Sequence, residues 1–593
     1  MVGALCTKNK LSKSSLVNSH DNKVRSLKVY YEGGVMSQRK DKAISLSTTS
    51  SSGIIQVPRL TPLNQLMSFI KGSISECVPC YPLGNGFHRK LRDILPHMVK
   101  IYSQEHYKSE IVSFSPNEYV ASVGLDGAPS AKMGSMTCGL ISFSNCLTLA
   151  NSCLHNYLLF GLSAKETDSI VVEYLIQLHK EMVAVEKETF DIDGKTVSFK
   201  FKIFPNDLKM VAQLAGELNN AARYPTTFAK VRKEDTTLPC AEPVVWQTWS
   251  MPERMKLSEQ VSKFCEKHSN RKKQLDFIAG LGCRQNSNPL FGNYTEFFRL
   301  EPLHLKNNSY QLLHSRILEF VEAVSGYNKS KKLDSVAEDS PLKTYLNGIR
   351  EEIKAGKLYK RIMSAYTDGG SAGDIRFTGE DSHKFAEKLL LVLRGVLHSS
   401  STSIQLPVNQ FTVVLFAYMA VQLRLVMSIA QRIHIDNTHI DEVRIAAKQY
   451  HNSFALFNKA TCSTWLVCNV LPEHIADMYR RFGYGLGLNS MQGREAKHKS
   501  INDYARFSSP QTKWQDVFRH EYVHCIWLKL NDAHIKPGRE AKELLPSSIP
   551  NHCCKRCRLP SDIDVFCTSQ FWGKIDDSCK KGRVHNGLAK LWH

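Results

Sequence analysis

Three acidic residues far apart in the chain, Asp126, Asp207 and Glu495, stand in contexts suited to holding hard divalent cations. Cutting a phosphodiester with metal ions needs carboxylate oxygens that converge from different elements. Two cations a few ångströms apart then activate water and stabilise the leaving oxygen. Such cations prefer carboxylates and water to thiols or imidazole. The expected arrangement is an Asp at a strand end, a second Asp at a neighbouring strand end, and an acid on a helix beside them. Asp126 follows the apolar run YVASVGL (Tyr119 to Leu125), and Asp207 follows a strand pattern that ends at Pro205. Glu495 lies in a helix-like stretch, Leu488 to Tyr504, behind the Gly-rich GYGLG of Gly483 to Gly487. Each residue also has an ordinary reading, an Asp before Gly as a turn residue and a Glu on a polar helix as a solvated one.

Other ligand patterns compete. His520-Glu521-Tyr522-Val523-His524 has the H-E-x-x-H form in which two His one helical turn apart bind zinc and the Glu acts as general base. Trp514 to Leu530 reads as an amphipathic helix, so the spacing suits that geometry, but no third ligand follows at a familiar distance; His534 lies beyond the predicted helix end. Near the C-terminus, Cys554-x-x-Cys557 is a good first half of a zinc site, with Cys567 and Cys579 as a widely spaced second half and His552 and His585 nearby. Cys77-x-x-Cys80 has no matching pair. Around Glu495, the basic residues Arg480, Arg481, Arg494, Lys497, His498 and Lys499 form a concentration that suits either a solvated helix face or contact with DNA phosphates, which position a duplex without reading it.

The elements that must position these groups fall into six segments. Residues 1–56 are rich in Ser, Lys and Thr and bury too little to offset chain entropy, which predicts a disordered basic tail; SQRKDK at Ser37 to Lys42 fits a nuclear signal. Residues 57–109 read as an N-terminal helical segment. From 110 to 230 the pattern is of strands: Tyr119 to Leu125, Gly139 to Phe143 and Ile170 to Leu175 are apolar runs. Asp193-Gly194 then stands between alternating runs in which Val197, Phe199, Phe201 and Ile203 share a face, a strong hairpin signal. Leu208 to Asn220 reads as a helix. Residues 231–460 carry apolar residues at helical spacing in Tyr310 to Val324, Leu342 to Met363, Ser382 to His398, Gln410 to Ile433 and Asp441 to Phe457. Residues 461–530 hold the Glu495 helix, and 531–593 form a Cys-rich basic tail.

Lys and Arg outnumber Asp and Glu by 77 to 56 in 593 residues, a formal charge of +21, and the usual partner of such a surface is a polyanion. Seventeen Cys without regular spacing are too sparse for a disulfide scaffold. Lys8, Lys10 and Lys13 interrupt the start of the chain, which argues against a secretory signal. The strongest apolar run, Phe411 to Val421, is too short to span a bilayer and reads as a buried helix. These features predict a protein of a reducing compartment, the nucleus, with no membrane partner.

Three blocks, VGLDGAPSAKMGSMTCGLISFS around Asp126, FKFKIFPNDLKMVAQLAGELNNA around Asp207 and GLNSMQGREAKHKSINDYARFSSPQTKWQDVFRH around Glu495, resemble the three acidic blocks of Transib-type transposases and of the catalytic subunit of the V(D)J recombinase. The resemblance implies a ribonuclease-H-like α/β mixed sheet interrupted by a large all-helical insertion, α-rich overall. It implies Asp126, Asp207 and Glu495 as ligands of two Mg²⁺ or Mn²⁺ ions and as the catalytic residues of DNA strand cleavage and transfer. It also implies double-stranded DNA as substrate, an accessory subunit, and a homodimer that brings two DNA ends together. The family's structural zinc is held by a Cys-x-x-Cys after the second Asp and a His pair before the Glu; here those positions read Thr226, Ala229, His474 and Tyr479. Two alternatives therefore stand beside the nuclease reading: an inactive, domesticated DNA-binding derivative of a transposase, and a zinc peptidase built on His520, Glu521 and His524.

Overall fold

The computed structural model describes residues 20–32, 63–72, 78–130, 134–241, 246–328, 332–506, 508–509, 511–531, 544–545, 550–561 and 564–585. Within the expected tail, His20–Glu32 is instead a helix that buries Leu27, Tyr30 and Tyr31, a correction to the expectation of disorder there; the rest of that tail, the nuclear signal, Cys77 and His534 lie outside the described residues. The chain is mixed α/β and helix-rich, and it divides into two compact units, each assembled from discontinuous segments. Unit 1 comprises 1–206, 290–298 and 491–540; unit 2 comprises 207–289, 299–490 and 541–593.

Unit 1 is built on a curled seven-stranded sheet. Its strands are β1 (Tyr81–Leu83), β2 (Gly86–His88), β3 (Glu118–Ser130), β4 (Gly134–Phe143), β5 (Tyr157–Leu162), β6 (Phe190–Ile192) and β7 (Lys195–Ile203), in the order β1-β2-β5-β4-β3-β7-β6. β3, β4 and β5 form an antiparallel meander, and β7 lies parallel to β3 on its other side. A parallel neighbour needs a crossover, which here includes the helix Ser169–Val185. The segment Ile170 to Leu175 therefore corrects the expectation of a strand. Its apolar residues continue as Leu178, Met182 and Val185, buried on one helical face, and a six-residue window hides that longer period. The Asp193-Gly194 hairpin is present: both residues have positive φ, 52° and 76°, as a tight hairpin turn requires, and Val197, Phe199, Phe201 and Ile203 are buried. β1 and β2 form a hairpin within the segment expected to be helical and extend the sheet beyond β5. β5, YLLFGL, is buried along its whole length.

Unit 2 is helical. Its core helix, Pro407–Ala430, is flanked by Pro302–Val324, Gly379–Leu397, Asn437–Phe457 and Trp572–Lys581. Pro at the first turn starts Pro302–Val324, Pro341–Glu351 and Pro407–Ala430, where its missing N–H costs nothing. Thr378 and Asp381 close a capping box on Gly379–Leu397. Leu342 to Met363, expected as one helix, is two: Pro341–Glu351 and Gly356–Thr367. Lys354 between them has a φ of 57°, a left-handed residue that no continuous helix accommodates. At 24 residues the core helix is long and apolar enough to cross a membrane, longer than the sequence run suggested, yet 89% of its most apolar window is buried inside the protein. The expected Cys-rich tail contributes its helix Trp572–Lys581 to this unit, packed on Asn437–Phe457.

Candidate metal centres

Asp126 does not end a strand. β3 runs on to Ser130, and Asp126 sits within it, paired with Cys138 of β4. The Asp-Gly pair that reads as a turn is ladder, and Gly127 donates its N–H to Glu166 Oε1 at 2.9 Å. A Cβ at Gly127 would come within 2.6 Å of that oxygen, so glycine is what lets the Glu166 carboxylate approach the strand beside Asp126. On the opposite side, Asn206, just past β7, accepts the Leu125 N–H through Oδ1 at 2.8 Å.

Glu495 is in the first turn of the helix Gln492–Ala505, which unit 1 holds against its sheet. The anchor is Arg494, almost fully buried, whose Nη2 donates to the Ser122 carbonyl at 3.1 Å and to the Ser122 and Ser142 hydroxyls at 2.9 and 3.2 Å. Close approach requires glycine at two points: a Cβ on Gly124 would stand 2.3 Å from Arg494 Nε, and one on Gly493 would stand 2.7 Å from the Ala150 carbonyl oxygen. Further along the helix Lys497 is buried, donating to the Cys153 carbonyl at 3.1 Å and lying 3.4 Å from Glu521. Burial works against its charge, but Cys525 and Glu521 outweigh that and raise its pKa.

This anchoring brings one group together at the sheet surface. Ligand atoms of Asp126, Glu495 and His498 all lie within 4.8 Å of one another. His498 Nδ1 is 3.6 Å from Asp126 Oδ2 and 3.4 Å from Glu495 Oε2. The Asp126 side chain is 14% exposed and that of Glu495 37%, so the group is lined by protein on one side and open on the other. Burial opposes a charge on His498, yet Cys138, Glu495 and Asp126 raise its pKa to about 11. Without a metal, the imidazolium offsets one of the two carboxylate charges, a place that a cation can take. The donor set of two carboxylates and one imidazole, half open to solvent, fits a divalent ion that keeps part of its water shell.

The other predicted residues distribute differently. Asp207 is not a member of that group: in unit 2 it caps the helix Leu208–Leu214, with Oδ1 accepting the Met210 N–H at 2.7 Å. That helix is shorter than expected because Gly216 turns the chain at a φ of 67°. Of the six residues suggested for DNA contact, Arg494, Lys497 and His498 are corrected. All are buried, the first two committed to protein oxygens and the third to the acidic group. Lys499 is exposed. In unit 2, Arg480 is 75% exposed, and it shares Asp477 with Arg481 and Arg299, a cluster with more positive than negative charge.

His520, Glu521 and His524 are buried in the core of unit 1, each with a protein partner. Glu521 is fully buried, paired with Arg89 Nη1 at 2.8 Å and accepting the Leu158 N–H at 3.1 Å. His520 Nδ1 meets the Tyr31 hydroxyl at 2.8 Å and His524 Nδ1 the Tyr504 hydroxyl at 2.7 Å. Tyr31 stacks on His524 with ring centroids 4.5 Å apart. Burial lowers the pKa of His520 to about 4 and holds His524 well below its ordinary value. Among the described residues no further ligand joins them.

A second convergent group lies in unit 2: Cys554, Cys557, Asp564 and Cys567, with ligand atoms within 4.8 Å of one another. It corrects the sequence-based set. Cys579 is buried in the helix Trp572–Lys581, its Sγ 3.4 Å from Ser453 Oγ, and Asp564 takes the fourth place. His474, which the sequence resemblance sets at a zinc-ligand position, accepts the Leu300 N–H at 2.9 Å and packs edge-on against Phe228 at 4.8 Å. Burial keeps it neutral.

Sequence reasoning missed Glu166, Asp564 and the place of His498 in the acidic group. Only His498 carries a local signal, the i,i+3 spacing that puts it on the Glu495 face of the helix. No protein-family model matches the chain, and no curated protein matches it.

Proposed function

We propose that this chain is a metal-dependent DNA-cutting enzyme of the transposase and recombinase type, and that Asp126 and Glu495 are the core of its active site. The observation that carries the reading is the meeting of these two carboxylates, remote in sequence, on the face of a mixed sheet. The strand arrangement supports a ribonuclease-H-like fold: an antiparallel meander, a crossover that includes a helix, and a strand parallel to the first. The formal charge of +21 supports a polyanionic substrate.

Asp126 and Glu495 would hold Mg²⁺ or Mn²⁺, with Glu166 beside them at Gly127 and Asp207 assigned by the resemblance alone. When bound, such ions activate water, or a freed 3′-hydroxyl, and stabilise the leaving oxygen. The protein's own contribution is positional. Arg494 fixes the helix that carries Glu495, and Asn206 and Glu166 fix the backbone on either side of Asp126. Lys499 and the Arg480 cluster would contact phosphates, with nuclear double-stranded DNA as partner and a homodimer, with or without an accessory subunit, as the working form.

The test is incubation of the full chain with labelled duplex and terminal-repeat DNA in Mg²⁺ or Mn²⁺. Metal-dependent cleavage that disappears in Asp126→Asn and in Glu495→Gln supports the reading; cleavage that survives Asp126→Asn overturns it. A second reading, a DNA-binding derivative without cleavage, is favoured by the replacement of the family's zinc ligands at Thr226, Ala229 and Tyr479. It is distinguished by salt-sensitive DNA binding with no product in either metal.

A further inference from the structure

The thiolate group of unit 2 is organised by its backbone as well as by its side chains. Residues 552–561 form a narrow hairpin: Cys553 pairs with Pro560, Ser561 N–H reaches the His552 carbonyl at 2.8 Å, and Cys554 N–H reaches the Leu559 carbonyl at 2.9 Å. Arg558 at its tip has a φ of 61°. The turn aims backbone N–H groups at sulfur, those of Arg556 and Cys557 at Cys554 and that of Leu559 at Cys557. Asp564 is oriented in the same way, with Oδ1 accepting the N–H groups of Phe566 and Cys567 at 3.2 and 3.0 Å.

Four anionic groups drawn into one spot repel each other unless a cation sits among them. Cys557 is fully buried, and its carbonyl accepts from Nη2 of Arg424 on the core helix Pro407–Ala430, at 2.6 Å. Arg424 is itself buried. A buried guanidinium needs a counter-charge, and a site of three thiolates and one carboxylate on Zn²⁺ supplies one, with a net formal charge of about −2.

We infer that Cys554, Cys557, Asp564 and Cys567 form a closed, four-ligand structural zinc site that clips the segment 552–567 onto the core helix through Arg424. Zinc suits the set because thiolate sulfur is a soft donor and Zn²⁺ also accepts a carboxylate oxygen, with tetrahedral geometry that four ligands complete. The site is independent of the acidic group of unit 1, so it stands or falls apart from the nuclease reading.

The full chain, expressed with zinc and dialysed, is expected to retain one equivalent of zinc by elemental analysis that Cys554→Ser and Cys567→Ser each lose. Cys579→Ser is expected to keep it. Cobalt in its place should give the near-ultraviolet charge-transfer band of thiolate ligation, and Asp564→Cys should strengthen that band. Since a ligand variant can simply fail to fold, the wild-type chain is also alkylated before and after chelator treatment. Zinc should shield Cys554, Cys557 and Cys567, chelation should expose all three, and Cys553 should react in both states. A wild-type chain without zinc, zinc retained in Cys567→Ser, zinc lost in Cys579→Ser, a Cys557–Cys567 disulfide, or alkylation indifferent to chelation would each overturn the inference.

Discussion

Unit 1 contains two groups of one composition in reverse proportion, two His and a Glu at 520–524, and two carboxylates and a His at Asp126, Glu495 and His498. The first has the spacing of a metal motif within five residues and converges on nothing but its own core. The second is scattered along the chain and brings its ligand atoms within 4.8 Å. What separates them is the identity of the partners. Glu521 is held between Arg89 and Lys497, two buried permanent cations, whereas Asp126 and Glu495 lie beside the titratable imidazole of His498, with the Glu495 side chain 37% exposed. A pattern in a string specifies where side chains leave a helix; whether they meet an ion depends on what the rest of the fold sets opposite them.

The largest expected effect would sharpen this contrast. Asp126→Asn or Glu495→Gln should reduce DNA cleavage by about 100-fold or more while leaving the melting temperature nearly unchanged, since removing a charge-stabilising group from a reaction centre typically costs that much. Glu521→Gln should do the opposite. It strands Arg89 and Lys497 in the core, and breaking a buried ion pair costs about 3–5 kcal/mol; urea unfolding would register the loss, with zinc content unaltered. If His520→Ala instead released zinc from the protein, the contrast would be broken and the peptidase reading restored.

A third effect follows from titration. The pKa of His520 in the folded chain is about 4, below an unfolded value of about 6.5, so the stability gained by burying it neutral is fully present above about pH 6.5 and is lost as pH falls through 4. A shift of this size is worth about 3 kcal/mol, and His520→Phe should flatten the acid limb of the unfolding free energy between those two pH values. The smallest effect separates exposed from buried basic residues on one helix. Lys499→Ala should reduce the slope of log affinity for DNA against log salt by about 0.9, the release of one counterion. Arg494→Ala should destabilise the sheet–helix contact instead, visible as a lowered melting temperature.

Much of the architecture was legible because it is periodic. The alternation Val197, Phe199, Phe201, Ile203 and the Asp193-Gly194 turn dictate a hairpin almost without context, and the helical block announces itself by spacing. Illegible features depend on partners. Asp126-Gly127 has the chemistry of a turn, and only pairing with Cys138 and Thr137 of β4 draws the strand through it. Arg494 and Lys497 read as a basic surface because burial of a cation cannot be seen without the Ser122, Ser142 and Glu521 that receive it. Of the thiolate group, Cys554-x-x-Cys557 was readable from spacing, and Cys567 followed. Cys579 was a plausible fourth thiol until the helix Trp572–Lys581 turned it toward Ser453, and nothing in the string distinguishes Asp564 from other acids.

The segmental make-up of unit 1 has a consequence for biosynthesis. The sheet emerges from the ribosome early, whereas the helix that bears Glu495 is translated only after the long stretch 299–490 that belongs to the other unit. A chain truncated between Ile203 and Met491 carries the whole sheet with its Asp126 but lacks Glu495. Under the nuclease proposal such products would be inert, so any cutting would begin only once the second acid had been synthesised.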